Sequence, residues 1–153
     1  MKTIIALNGP SQSGKTQTLK LFLQFIKKET EKNIYKSKKW KECLEVNILD
    51  DLKIGVTSRS DKIQKLRENI EFLINEMDCD VVVTAINTKT KGITELLEDL
   101  KAKNIEIEMV EKFPEFCNRA QKGLQLDLNL QAAKILWTRL KQLEKIEIDH
   151  QQP

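Results

Sequence analysis

Gly9-Pro10-Ser11-Gln12-Ser13-Gly14-Lys15-Thr16 sets two glycines, a lysine and a hydroxyl residue at the spacing G-x-x-x-x-G-K-[ST]. Together these residue types can hold a phosphate chain. Nucleotide phosphates need many donors at close range, and Gly9 and Gly14 let the backbone bend until successive N–H groups face one concavity. Lys15 is expected to reach the β- and γ-phosphates as a point charge. The Thr16 hydroxyl is expected on Mg²⁺, with Ser13 as a further donor. Gly9, Ser11, Gln12, Ser13, Gly14, Lys15, Thr16 and Gln17 are therefore the predicted nucleotide-binding residues. The plainer alternative is a glycine turn that opens a helix, in which the Lys-Thr pair is incidental.

The flanking elements suit the phosphate reading. Thr3-Ile4-Ile5-Ala6-Leu7 reads as a short buried strand, and Leu19, Phe22, Leu23 and Ile26 fall at the i, i+3, i+4, i+7 positions of an amphipathic helix. A helix opening near Lys15 adds unpaired N–H groups and the positive end of its dipole, both favourable to an anion. Further on, Leu44–Ile48 and Leu52–Thr57 flank Asp50-Asp51, which predicts an antiparallel hairpin with the aspartates in its turn. The apolar run Val81–Ile86 predicts a buried central strand. Ile63, Leu66, Ile70, Leu73 and Met77 mark a helix before it, and Gly92 precedes another with Ile93, Leu96, Leu97 and Leu100. Ile105–Val110 reads as a last strand, and residues 127–146 as a last helix. The predicted fold is α/β, a mainly parallel sheet with a hairpin near one edge, in a single domain over residues 1–153.

In this order of elements the loop resembles the Walker A motif of the P-loop NTPase superfamily. The resemblance implies a three-layer α/β/α fold, Mg-nucleotide binding and often phosphoryl transfer. A nearer resemblance is to a group of small stand-alone bacterial ATP-binding P-loop proteins. It rests on the phosphate loop, on Lys53-Ile54-Gly55-Val56-Thr57-Ser58-Arg59-Ser60-Asp61, and on Asp80-Val81-Val82-Val83-Thr84-Ala85 leading to Thr88 and Gly92. That group often has glycine where Ser60 stands and arginine where Asn87 stands, so no arginine role carries over to position 87.

Ligands of open α/β sheets lie beyond the carboxyl ends of the strands. The strand ending at Thr57 leads into Ser58, Arg59, Ser60 and Asp61, and the buried strand leads to Thr84, Asn87 and Thr88. The last strand leads to a loop holding Arg119 and Lys122. Val81–Val83 is followed by Thr84-Ala85, not by the acid that commonly holds Mg²⁺ through water, and Asp80 lies at the wrong end of that strand. Asp61 is the predicted substitute, giving Thr16 and Asp61 as metal residues and Lys15, Arg59 and Asp61 as catalytic candidates. Arg59 can grip phosphate oxygens in a fork. Ser58, Thr84, Asn87, Thr88 and Arg119 are second-site candidates; Arg119 and Lys122 read first as a solvated loop, and a basic lid over the phosphates is the alternative.

Asp61-Lys62-Ile63-Gln64 lacks the glycine of D-x-x-G, and Thr88-Lys89-Thr90-Lys91 lacks the final aspartate of [NT]-K-x-D, so ATP is predicted over GTP. A net charge of +3 is too weak to argue for nucleic acid by itself. Lys32, Lys36, Lys38, Lys39 and Lys41 surround Tyr35 and Trp40, a basic run that reads as a solvated connector; binding of single-stranded nucleic acid through Lys36 to Lys41 is the alternative. Cys43, Cys79 and Cys117 are far apart and odd in number, which suits a reducing compartment. No apolar run approaches a membrane span, so a cytoplasmic protein is expected. His150 is expected in a polar tail and without a catalytic role. Two functions remain: a small kinase or ATPase acting on an unidentified acceptor or water, and a nucleotide-dependent switch that binds a protein partner.

Overall fold

The computed structural model describes residues 2–10, 13–29, 33–36, 44–57, 62–111 and 122–151, with the backbone alone for 122–125 and 144–151. Strand β1 (Lys2–Asn8) leads to helix α1 (Lys15–Glu29), followed by β2 (Asn33–Lys36), β3 (Leu44–Leu49) and β4 (Leu52–Thr57). Helix α2 (Ile63–Glu71), which ends in a π-helical turn over Phe72–Glu76, then precedes β5 (Val81–Ile86), α3 (Ile93–Ala102), β6 (Ile105–Glu111) and α4 (Lys122–Gln151). The strands form one sheet in the order β2-β3-β4-β5-β1-β6. Neighbours from β4 to β6 pair in parallel, whereas β2–β3 and β3–β4 are antiparallel. The α/β class, the mostly parallel sheet and the hairpin near one edge are as the sequence predicts. The hairpin turn falls at Asp50-Asp51, with Asp50 at a φ of +54°, a conformation aspartate tolerates better than most residues.

Successive side chains on a strand point to opposite faces, and both faces are covered. Ile5 and Leu7 of β1 join Val83 and Ala85 of β5 under Leu19, Phe22 and Ile26 of α1 and Leu136 and Leu140 of α4. On the other face Ile4, Ala6, Val82 and Ile86 meet Leu66 and Ile70 of α2 and Ile93, Leu96 and Leu100 of α3. The uninterrupted apolar run of β5 follows from burial on both sides, since all six of its residues are buried.

Three elements depart from the sequence reading. Residues 33–36 form the edge strand β2, where the sequence predicts a connector; Tyr35 there packs on Phe72 with ring centroids 5.3 Å apart. Helix α4 runs beyond both ends of the predicted 127–146, so Lys122 is its first residue, not a loop residue, and His150 is helical rather than in a tail. The straight-chain Lys, Gln and Glu residues past the apolar stripe are good helix formers and carry it on. Glu45 and Asn47 alternate with apolar neighbours on β3, yet both are buried because α1 covers that face.

At the amino ends of the strands, Asp80 has a structural position. Its Oδ2 accepts the Lys53 N–H at 2.8 Å, its own N–H donates to Lys53 O at 2.8 Å, and its carbonyl accepts the Thr3 N–H at 3.1 Å. Asp80 thus fixes β4, β5 and β1 in register, at the end opposite the loop after β1. Cys79 beside it is a buried free thiol, pushed up to about 11 by that burial. Cys43 and Cys117 lie outside the described residues.

Gly55 permits the close approach of the π-helical turn. A Cβ placed there would meet Cys79 Sγ at 3.0 Å and Leu73 Cδ2 at 3.0 Å. Gly55→Ala is expected to lower stability by about 1–3 kcal/mol through overpacking, read as a lower urea midpoint at unchanged slope. A midpoint equal to wild type would show that Leu73 and Cys79 yield freely.

Candidate functional site

The loop after β1 stands where the two directions of chain winding diverge. From β1 the chain crosses to α1 on one face, and from the adjacent β5 it crosses to α3 on the other. Such a divergence opens a crevice beyond the carboxyl ends of the two strands, the usual ligand position in open α/β sheets. Gly9 N–H donates to Ile86 O at 3.3 Å and so ties the start of the loop to the end of β5. Ser13 N–H closes a turn onto Pro10 O at 3.3 Å, and Gly14 takes a φ of +88° that a side chain would resist. Helix α1 then opens at Lys15.

Lys15 is only 4% exposed. Its ammonium donates to the carbonyl of Gly9 and, at 2.6 Å, to that of Pro10. A buried ammonium must be met by acceptors, and here the loop's own backbone supplies them. Ser13 is buried with it, while Thr16 and Gln17 are exposed at the opening of α1. Ser11 and Gln12 lie outside the described residues.

Next to the loop, the turn after β5 is held by local bonds. Asn87 Oδ1 accepts the Lys89 N–H at 3.0 Å, and Asn8 Oδ1 accepts the Thr88 N–H at 3.3 Å. Asn87 and Thr88 are therefore brought beside the end of β1. Thr84 sits lower, inside β5 and 1% exposed, in register with Ala6 and Thr57. Its hydroxyl has no hydrogen-bond partner among the described residues. Thr57 Oγ1 accepts an N–H from Asn69 of α2 at 3.3 Å. Ser58, Arg59, Ser60, Asp61 and Arg119 fall outside the described residues.

Sequence reasoning passed over three residues of interest. Glu111 ends β6 in register with Asn8, which places an exposed carboxylate at the carboxyl end of a strand that flanks β1; counting along the predicted strand by one more residue would have found it. Asn129 of α4 lies 3.3 Å from Thr18 Oγ1, a pairing with no local signal. Glu45 is wholly buried, with Lys27 at 3.7 Å and Lys36 at 3.8 Å. Lys36 therefore faces an acid of its own chain; the rest of the basic run to Lys41 is outside the described residues.

Elsewhere a groove of about 940 Å³ follows β6, lined by Asn104, Ile107, Glu108, Arg139 and Leu143. It also includes Thr3 near the start of β1 and so belongs to the amino-end side of the sheet rather than to the loop after β1. Arg139 Nε bonds both oxygens of Glu108, at 2.7 and 2.6 Å, and holds α4 to β6. Among the described residues there is no group of three or more His, Cys, Asp or Glu able to hold a metal. No described helix is long and apolar enough to cross a membrane.

The fold defines an α/β protein with a six-stranded, mostly parallel sheet and a glycine-bounded loop at its winding divergence. The chain matches no protein-family model, no curated protein and no solved structure.

Proposed function

We propose that the chain is a P-loop protein of three-layer α/β/α architecture that binds Mg-ATP on Gly9–Thr16, hydrolyses it slowly or conditionally, and uses the nucleotide as a switch for a protein partner. The observation that carries this reading is Lys15, a buried ammonium turned back onto the carbonyls of its own loop at the mouth of the β1–β5 crevice. Nothing in the packing of a simple helix-opening turn calls for a charge there. An arriving phosphate offers that ammonium a charged acceptor in place of neutral carbonyls, and charge-assisted bonds are roughly twice as strong.

Mg²⁺ suits the donors at the site as a shared ion. The exposed Thr16 hydroxyl is the residue that would hold the ion together with the nucleotide phosphate oxygens. Held there, it would supply neutralisation of charge on the β- and γ-phosphates. Asp61 is the proposed outer carboxylate and Arg59 the proposed γ-phosphate contact. Separated cysteines fit a reducing compartment such as the cytoplasm.

A second reading, transfer of the γ-phosphate to a small acceptor, draws on Thr84. A buried hydroxyl without a described partner is unusual, and it lies on the strand next to the loop. Ser58, Asn87, Thr88 and Arg119 are the remaining residues proposed for the acceptor side.

Calorimetric titration with Mg-ATP and Mg-GTP, followed by product analysis over hours, tests the proposal. Saturable ATP binding with weaker GTP binding is the expected result, with ADP appearing slowly. Absence of binding to either nucleotide would overturn it, and fast turnover of a defined acceptor would favour the kinase.

A further inference from the structure

We propose that Asn129 is a positioning residue for the phosphate loop, acting from α4 through the Thr18 hydroxyl on the Gly14 peptide. This rests on the reading of Gly9–Thr16 as a nucleotide-phosphate site. Thr18 is 0% and Asn129 3% exposed. Thr18 Oγ1 lies 3.0 Å from the Gly14 carbonyl oxygen and 3.3 Å from Asn129 Oδ1.

A hydroxyl has one proton to give, and lone pairs with which to accept. Donated to Gly14 O, that proton leaves the hydroxyl oxygen open to an N–H from Asn129, whose amide oxygen and nitrogen exchange places by a half-turn. The bonds then run in one direction, from the Asn129 amide to the Thr18 hydroxyl to the Gly14 carbonyl. The same carbonyl accepts the Thr18 backbone N–H at 3.0 Å. Because the peptide unit is planar and trans, its C=O and N–H point opposite ways. Holding Gly14 C=O toward the helix aims the Lys15 N–H away from it, toward the concavity that receives a phosphate oxygen.

Two features of the sequence favour this role over packing. Gly14 is at a φ of +88°, and glycine leaves the peptide on either side of it freer to turn than any other residue does. An external tether therefore has something to fix. Asn129 also breaks the apolar face of α4, whose neighbouring inward residues are Ala132, Ala133 and Leu136. A buried amide is unfavourable unless bonded, and leucine would pack between α1 and α4 without that requirement.

The test is a double-mutant cycle on Mg-ATP affinity, by calorimetry, with urea unfolding of each sample. Thr18→Val and Asn129→Leu are each expected to weaken binding about tenfold, the size of one lost buried hydrogen bond. The double variant should be no weaker than the worse single one. Thr18→Ser keeps the hydroxyl and drops the methyl, so it should bind like wild type; a packing role would make it the more damaging change. Asn129→Ala stands in if Asn129→Leu does not fold. Single variants within twofold of wild type, or an additive double variant, would overturn the inference while Lys15→Ala still weakened binding about a hundredfold. If wild type itself failed to bind Mg-ATP, the nucleotide reading would fall, and the positioning role with it.

Discussion

Lys15→Ala is expected to weaken Mg-ATP binding by about two orders of magnitude while leaving the fold intact. The estimate follows from charge-assisted hydrogen bonds, worth about 1.5–3 kcal/mol each, of which the ammonium can make three at most. Two of its donors are used by Gly9 and Pro10 carbonyls before any ligand arrives, so part of the gain on binding is an exchange of partners rather than a new bond. Removal of the side chain also leaves those carbonyls exposed to water that enters the vacated space, which limits the structural penalty. Lys15→Met keeps the apolar stem and is expected to lose affinity to the same extent. Lys15→Arg is not expected to restore it, since a planar fork does not fit a position that demands a compact charge. Titration calorimetry reads all three. Affinity within threefold of wild type in Lys15→Ala would show that the buried ammonium serves the loop alone.

Phe22→Ala is expected to act in the opposite way, lowering stability by about 3–5 kcal/mol without altering the affinity of molecules that remain folded. Phe22 is fully buried and lies in the core shared by α1, α4, β1 and β5. Domains of this size have total stabilities of about 5–15 kcal/mol, so the change removes a large share. Urea unfolding should show a lower midpoint at unchanged slope, and saturating Mg-ATP should recover part of the loss by mass action. A loss of less than about 1 kcal/mol would mean that α1 and α4 collapse onto the vacated space. The two variants together separate the packing of α1 from the proposed nucleotide-binding role of its first residue.

What the sequence discloses here is local. The glycine-bounded turn between β1 and α1 is read from residue types at fixed spacing, and β5 from six consecutive apolar or small residues. Asn87 and Thr88 directly follow that strand, so their position in the chain is local information. Strand β2 escapes notice because only Tyr35 of its four residues is partly buried; its strand character comes from pairing with β3, which no property of Asn33-Ile34-Tyr35-Lys36 announces. Glu45 and Asn47 look like a solvent face, since alternation reports the strand's period but not whether a helix covers the other side. Thr84, grouped by sequence with the strand-end residues, lies within β5 beneath them. The tie between Thr18 and Asn129 spans 111 positions, and nothing near either residue points to the other.

The sheet order has a consequence for how the molecule is made. Strand β1 lies between β5 and β6, with Thr3 in register with Val81 on one side and Glu106 on the other. A ribosome adding about 5–20 residues per second leaves β1 without either partner for roughly 4–16 s. Through that interval Thr3-Ile4-Ile5-Ala6-Leu7 is an apolar, β-prone segment with nothing to pair with, the kind of segment that associates between chains. Contacts of such long range also slow refolding. Because Gly9 is anchored to Ile86 and Thr18 to Asn129, the loop after β1 cannot take its final form until most of the chain has emerged.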